Sequence, residues 1–368
     1  GEMKWEKSYE RAAYKGLFGN GPRSTPVVAG GKVYTLGTTA ILASWDAKTF
    51  LAEQLKNGTT TSCIYCTVFP QSVDALFEEA ERLNMRISAG KVLMNRNAPD
   101  YLLDTTNSGY DDSKALIRKW HNRGRLMYCI TPRFAPTSTP DQLQSAGELW
   151  DEFPDCFMQT HVSENVDEVE WVKSLFPDRK GYLDVYDHHK LCRPRSVFGH
   201  GIHLTEEELG TMHDTGSAIS HCPTSNFFLG SGYLDIHRAM RADRPVRVGL
   251  GTDLGAGTSF SILLTLNEAY KAAQLNRQKL TGAQGLYLAT RGTAHAMYIE
   301  DKVGSIAPGM EADIVVLDMK STPIIDYRMQ FVEDIHEALF VQMTLGDDRA
   351  VQATYVAGKL QHERPSTH

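Results

Sequence analysis

The chain has 368 residues, 42% hydrophobic and 23% charged, with a net charge of −7, which is enough chain for one large domain with a smaller satellite. A negative balance with no concentrated basic run excludes nucleic acid as a polyanionic partner, though not a single base as a substrate. No apolar run is long enough to span a bilayer, no signal-peptide pattern opens the sequence, and six scattered cysteines read as reduced thiols, so a cytoplasmic protein is expected.

Residues up to about Lys48 differ from the rest. Ser24 to Gly37 reads as strand, Gly-rich turn and strand, and Ile41–Trp45 is another short apolar strand. From Phe50 the pattern becomes regular. Thr59–Val68 is a strand rich in β-branched residues. Ser72 is expected to cap a helix whose Val73, Leu76, Phe77, Ala80 and Leu83 follow helical spacing. Arg86–Met94 is a strand, Ala115, Leu116 and Trp120 mark a helix, and Leu126–Thr131 is the next strand. Thr139-Pro140-Asp141-Gln142 reads as a capping box with proline at the first helical position. A buried strand then ends in Gln159-Thr-His-Val-Ser-Glu-Asn165, and a helix follows through Val166, Val169, Val172 and Leu175. Ser196–His200 is a strand, Thr205-x-x-Glu208 opens a helix, and Ala218–Cys222 and Val246–Asp253 are strands, with a long helix from Phe260. Gly304–Asp318 and Val351–Lys359 read as strands of a small β-domain.

Strands alternating with helices predict a parallel sheet with right-handed crossovers. About seven such strands lie between Thr59 and Asp253, one short of a closed (β/α)₈ barrel. The expected fold is therefore α/β, a TIM-type barrel with its first strand lost or replaced, plus a small β-sandwich domain formed mainly by the C-terminal region. The boundaries fall at 1–49 for the foreign segment, 50–300 for the barrel and 301–368 for the remainder. Arg133, His161, His200, His221 and Asp253 fall at C-terminal strand ends, where this fold places its chemistry. His161 suits zinc as a neutral imidazole, and Glu164, three residues on, can move a proton beside a metal-bound water. Cys63-Ile-Tyr-Cys66 has the C-x-x-C spacing but no partner pair, and reads as core thiols. His188-His189 reads as surface, His203 as near the pocket, and His221 as lining it or holding a turn. His237, His295, His336 and His362 read as structural or solvated.

Two resemblances follow from these motifs. Val27 to Tyr34 and Ile41 to Thr49 resemble one blade fragment of the pyrroloquinoline-quinone-type β-propellers, although a single blade cannot bury its own faces. His161 to Glu164, Gly199-His200-Gly201, His221-Cys-Pro-Thr-Ser-Asn226 and Gly251-Thr-Asp253 resemble the metal-dependent amidohydrolase superfamily. Gly90-Lys-Val-Leu-Met94, Thr131-Pro-Arg-Phe134 and Gln159–Asn165 are similar to its guanine deaminases, over most of the chain from about Phe50. That resemblance implies hydrolytic deamination of guanine to xanthine and ammonia, one Zn²⁺ per chain and a homodimer. It implies His161 and Asp253 as metal ligands, with His161 also beside the substrate. Glu164 is the implied acid/base, and His200 the residue that orients water. Asp253 accepts the water proton, and Arg133 and Phe134 read guanine. It also implies a His-x-His pair on the first barrel strand, but no histidine precedes His121 here. Two of four ligands are thus missing, and weak or absent zinc binding with impaired activity is expected, the alternative being a purine-binding or structural relative without turnover. Ile41–Trp45 is the expected occupant of the vacant strand-one position, with Ser44 and Asp46 near the pocket mouth.

Overall fold

The structure, a computed structural model, describes residues 27–29, 32–34 and 47–365. The chain divides into two units, Gly1–Ser44 and Trp45–His368. In the first, β1 (Val27–Ala29) and β2 (Lys32–Tyr34) pair antiparallel, as the strand-turn-strand pattern implied. Ile41–Trp45 and Asp46, the expected strand-one filling, lie outside the described residues.

In the second unit α1 (Ala47–Lys56) leads into β3 (Thr61–Tyr65). Next come α2 (Pro70–Leu83), β4 (Arg86–Gly90), β5 (Val92–Leu93) and α3 (Thr106–Trp120). They continue as β6 (Met127–Pro132), α4 (Pro140–Glu152), β7 (Phe157–Val162) and α5 (Val166–Leu175). After α6 (Tyr182–His188) come β8 (Ser196–His200), α7 (Glu206–Thr215), β9 (Ala218–His221), α8 (Pro223–Leu229), α9 (Ile236–Ala239) and β10 (Arg247–Leu250). The sheet runs β10-β9-β8-β7-β6-β4-β3, with β5 also on β6, and every pairing in it is parallel. These are the seven expected strands, the second in two pieces. Among the described residues no strand closes the gap between β3 and β10.

The expected Arg86–Met94 strand breaks at Lys91. A Cβ on Gly90 would stand 1.6 Å from the Cys129 carbonyl oxygen, so only glycine lets the two backbones approach there. Past the break, Val92 bonds to Thr67 O and β5 joins β6. Ser72 is not the cap of α2. The helix starts two residues earlier, at Pro70, and the Ser72 hydroxyl donates to Phe69 O inside the first turn. Thr205 and Glu208 form both halves of their capping box, whereas Thr139 caps Gln142 while its own amide turns to Asn95 Oδ1.

Leu76, Phe77, Ile87, Tyr128, Ile130, Trp150, Phe198 and Ile219 form the layer between sheet and helices. Inside the sheet's curve, Met127, Cys129 and Phe157 pack with Met297, Ile299 and Val303, and with Cys63 and Val197. This cluster lies toward the N-terminal ends of β6 and β7. The cysteines are free thiols, as expected, and burial pushes Cys66 up to about 12. Of the expected sandwich the described residues show one antiparallel sheet: β11 (Ile314–Leu317), β12 (Val351–Val356) and β13 (Lys359–Glu363). Ion pairs from Arg86 and Arg125 to Glu311, and from Arg125 to Asp313, tie it to the strand starts. Among the described residues no helix is long and apolar enough to cross a membrane.

Candidate active site

Parallel register sets the site. Val162 on β7 is level with His200 on β8, and His221 on β9 with Leu250 on β10, so the loops beyond them open at one mouth. Three residues at this mouth, Ser163 (φ 48°), His200 (φ 72°) and Asp253 (φ 47°), hold left-handed backbone without being glycine. Such strain, about 1–2 kcal/mol per residue, persists where the surroundings fix a side chain in one direction.

His200 Nε2 lies 3.7 Å from Glu164 Oε2 and 3.9 Å from Asp253 Oδ2. Its ring stacks on His161, with centroids 5.4 Å apart. Each group is held from behind. His161 Nδ1 donates to Arg133 O at 2.6 Å, Asn226 Oδ1 sits 2.8 Å from His200 Nδ1, and Ser231 Oγ donates to Glu164 Oε1 at 3.0 Å. Because a carbonyl only accepts, the bond to Arg133 fixes the His161 proton on Nδ1 and leaves a lone pair on Nε2. Burial, reinforced by His200, holds His161 down at about 4, so it is neutral near pH 7. Burial opposes charge on His200 too, but the Glu164 and Asp253 carboxylates outweigh it and raise its pKa. Arg133 lies over the Phe134 ring at 4.8 Å, and Phe134 meets His161 edge-on at 6.3 Å.

The six site residues expected from the sequence, Arg133, Phe134, His161, Glu164, His200 and Asp253, therefore share one neighbourhood. His221 is fully buried, both ring nitrogens lack a hydrogen-bond partner among the described residues, and burial pushes it down to about 3. His203 braces the mouth: its amide bonds Ser163 O and its Nε2 meets Ser231 O. His189 is a correction to the surface reading, since it is buried and burial lowers it to about 4. Asn226 was legible as part of the His221–Asn226 run. Ser231, Tyr65 (4.8 Å from the His161 ring) and the buried Glu168, pushed up to about 7 by burial, carried no sequence signal.

The donors suit zinc in part. His161 keeps a lone pair on Nε2, and the Asp253 carboxylate stands 3.9 Å from His200 Nε2, both atoms of the kinds zinc takes. A catalytic zinc takes at least three protein ligands, and no histidine before His121 exists to complete the set. His121, Asp155 and Cys156 bring their ligand atoms within 4.8 Å of one another at the opposite strand ends. There Tyr128 N–H occupies His121 Nδ1, so Nε2 carries the proton and faces Asp155 at 3.0 Å.

The sequence profile described as "Amidohydrolase family" matches residues 23–360. The guanine deaminase of Escherichia coli (strain K12) is 51% identical over 315 residues, 86% of this chain and 71% of that protein. The E. coli guanine deaminase structure superposes with a TM-score of 0.85, covering 87% of this chain and 74% of that one. A guanine deaminase from C. acetobutylicum, solved with guanine in its active site, is 29% identical with a TM-score of 0.77, over 84% of this chain and 74% of that one. A zinc-bound adenosine deaminase from Xanthomonas campestris shares the fold at 23% identity and a TM-score of 0.73, over 85% of this chain and 69% of that one.

Proposed function

The chain belongs to the amidohydrolase family, and we propose that it acts as a guanine deaminase, releasing xanthine and ammonia from guanine. The observation that carries this is the 51% identity to the E. coli guanine deaminase. The meeting of His161, Glu164, His200 and Asp253 at one mouth supports it.

In this reading water adds to the amidine carbon. Asp253 accepts one proton of the water, which leaves with the ammonia, and Glu164, held by Ser231, moves the other to the ring nitrogen. His200 orients the water. Arg133 has only donors and so faces acceptors on the purine, while Phe134 and Tyr65 offer aromatic faces. Zinc, held by His161 and Asp253, would supply a water with a pKa near neutrality. With the His-x-His pair absent, zinc affinity is orders of magnitude below that of a complete site, and turnover is impaired. The lack of any histidine before His121 favours a second reading, purine binding without turnover. The homodimer, the cytoplasmic location and the propeller-like origin of 1–49 rest on the sequence alone, and the family match takes in that segment from residue 23.

The test is xanthine formation by the purified chain with and without added zinc, alongside its zinc content after dialysis against a chelator. Xanthine that appears only with excess zinc supports the proposal. Guanine binding without xanthine supports the second reading. Stoichiometric zinc surviving dialysis refutes the weakened site.

A further inference from the structure

The loop joining β5 to α3, Met94–Thr105, supplies no group to the deamination, yet it is tied down along its length. At its root Lys91, whose side chain is 0% exposed, pairs with Asp104, and Asp104 N bonds back to Met94 O at 2.7 Å. Along its middle the amides of Asn95 and Arg96 both donate to Thr137 O, at 2.9 and 3.3 Å. The Arg96 guanidinium donates to Ala135 O at 2.9 Å, and Asn97 Nδ2 to Pro136 O at 2.7 Å. Asn95 Oδ1 accepts from Thr139 N, and its Nδ2 donates to Thr139 Oγ1, both at 2.8 Å.

The bonds described from Asn95, Arg96 and Asn97 end on Ala135–Thr139, the residues just after Arg133 and Phe134. Arg133 itself is pinned on both flanks: its amide donates to Leu93 O at 3.2 Å, and its carbonyl accepts from His161 N at 3.2 Å and from His161 Nδ1. Loop amides and side chains at a surface ordinarily bond water. Here they bond the carbonyls of the neighbouring loop.

We propose that Met94–Thr105 is a positioning element for purine recognition, in which Asn95, Arg96 and Asn97 set where Arg133 and Phe134 stand and the buried Lys91–Asp104 pair anchors them. This rests on reading Arg133 and Phe134 as the pair that recognises guanine. A guanidinium discriminates by meeting purine acceptors in fixed directions, so a loosened Ala135–Thr139 segment erodes the preference for guanine over a purine lacking the exocyclic oxygen.

The experiment compares equilibrium binding of guanine and 2-aminopurine by the full chain, Asn95→Ala and Asn95→Asp, with amide hydrogen exchange over residues 133–139. Asn95→Ala is expected to cut the guanine preference about tenfold or more and to speed exchange in that segment alone. Asn95→Asp keeps the acceptor for Thr139 N, and the Thr139 hydroxyl turns to donate, so both readouts recover. Unchanged preference with unchanged exchange overturns the proposal, as does equal weakening of both ligands with faster exchange throughout the barrel. A wild-type chain that binds neither purine sinks the proposed function instead, and the exchange rates then decide the brace by themselves.

Discussion

Toward the N-terminal ends of the strands, Met127, Cys129 and Phe157 pack with Met297, Ile299 and Val303 in one apolar cluster. At and beyond the opposite strand ends, His161, Glu164, His200 and Asp253 crowd together, with the two carboxylates 3.7 and 3.9 Å from His200 Nε2. Apolar burial is non-directional and needs only volume, so the floor is filled by whatever side chains interdigitate. The mouth needs directions. Each polar group there is aimed by a bond from outside the cluster: the Arg133 carbonyl for His161, Asn226 for His200, Ser231 for Glu164. The left-handed backbone at Ser163, His200 and Asp253 is part of that cost. The floor supplies stability, and the mouth consumes some of it.

That contrast can be broken by substitutions that move the two readouts together. Glu164→Gln is expected to lower guanine turnover by about 10²–10⁴-fold with little change in the urea midpoint, and a parallel fall in stability would erase the distinction. Phe157→Ala in the floor is expected to cost about 3–5 kcal/mol in urea unfolding, while the protein that remains folded keeps its KM for guanine. A changed KM would mean that floor packing reaches the mouth.

Glu168 sharpens the comparison through pH. Its folded pKa is raised from 4.5 to about 7 by burial, with the Glu164 charge adding to it. A raised folded value means that its stabilising contribution is full below pH 4.5 and is lost as pH rises through 7. The loss by pH 8 is roughly 3 kcal/mol. Glu168→Gln stays neutral, so its urea midpoint should gain on the wild type's between pH 5 and pH 8. Parallel curves would show that Glu168 is not held protonated. The smallest effect is expected at the exposed Lys173–Glu170 pair, where Lys173→Ala should stay within about 0.5 kcal/mol and leave turnover unchanged. It sets the baseline for the other three.

Much of this architecture was legible because its signals are local. The alternation of β-branched runs with helical spacing located all seven parallel strands, and the chemistry-bearing residues stood at strand ends that fold rules mark as functional. Boundaries failed where a distant group intervened. The break at Lys91 is imposed by the Cys129 carbonyl against Gly90, and the half-finished cap at Thr139 by Asn95 from another loop. His189 looked polar by its neighbours but is buried.

The sequence by itself determined the order of elements and the residue types at each strand end, including the lack of any histidine before His121, because periodicity and composition are properties of neighbours along the chain. Only the tertiary structure decided which groups aim the chemistry. Ser231 reaches Glu164 across 67 positions and Asn226 reaches His200 across 26. Glu168 owes its raised pKa to burial beneath other elements. Hydrogen-bond direction and desolvation depend on what surrounds an atom in space, and no spacing along a chain records that.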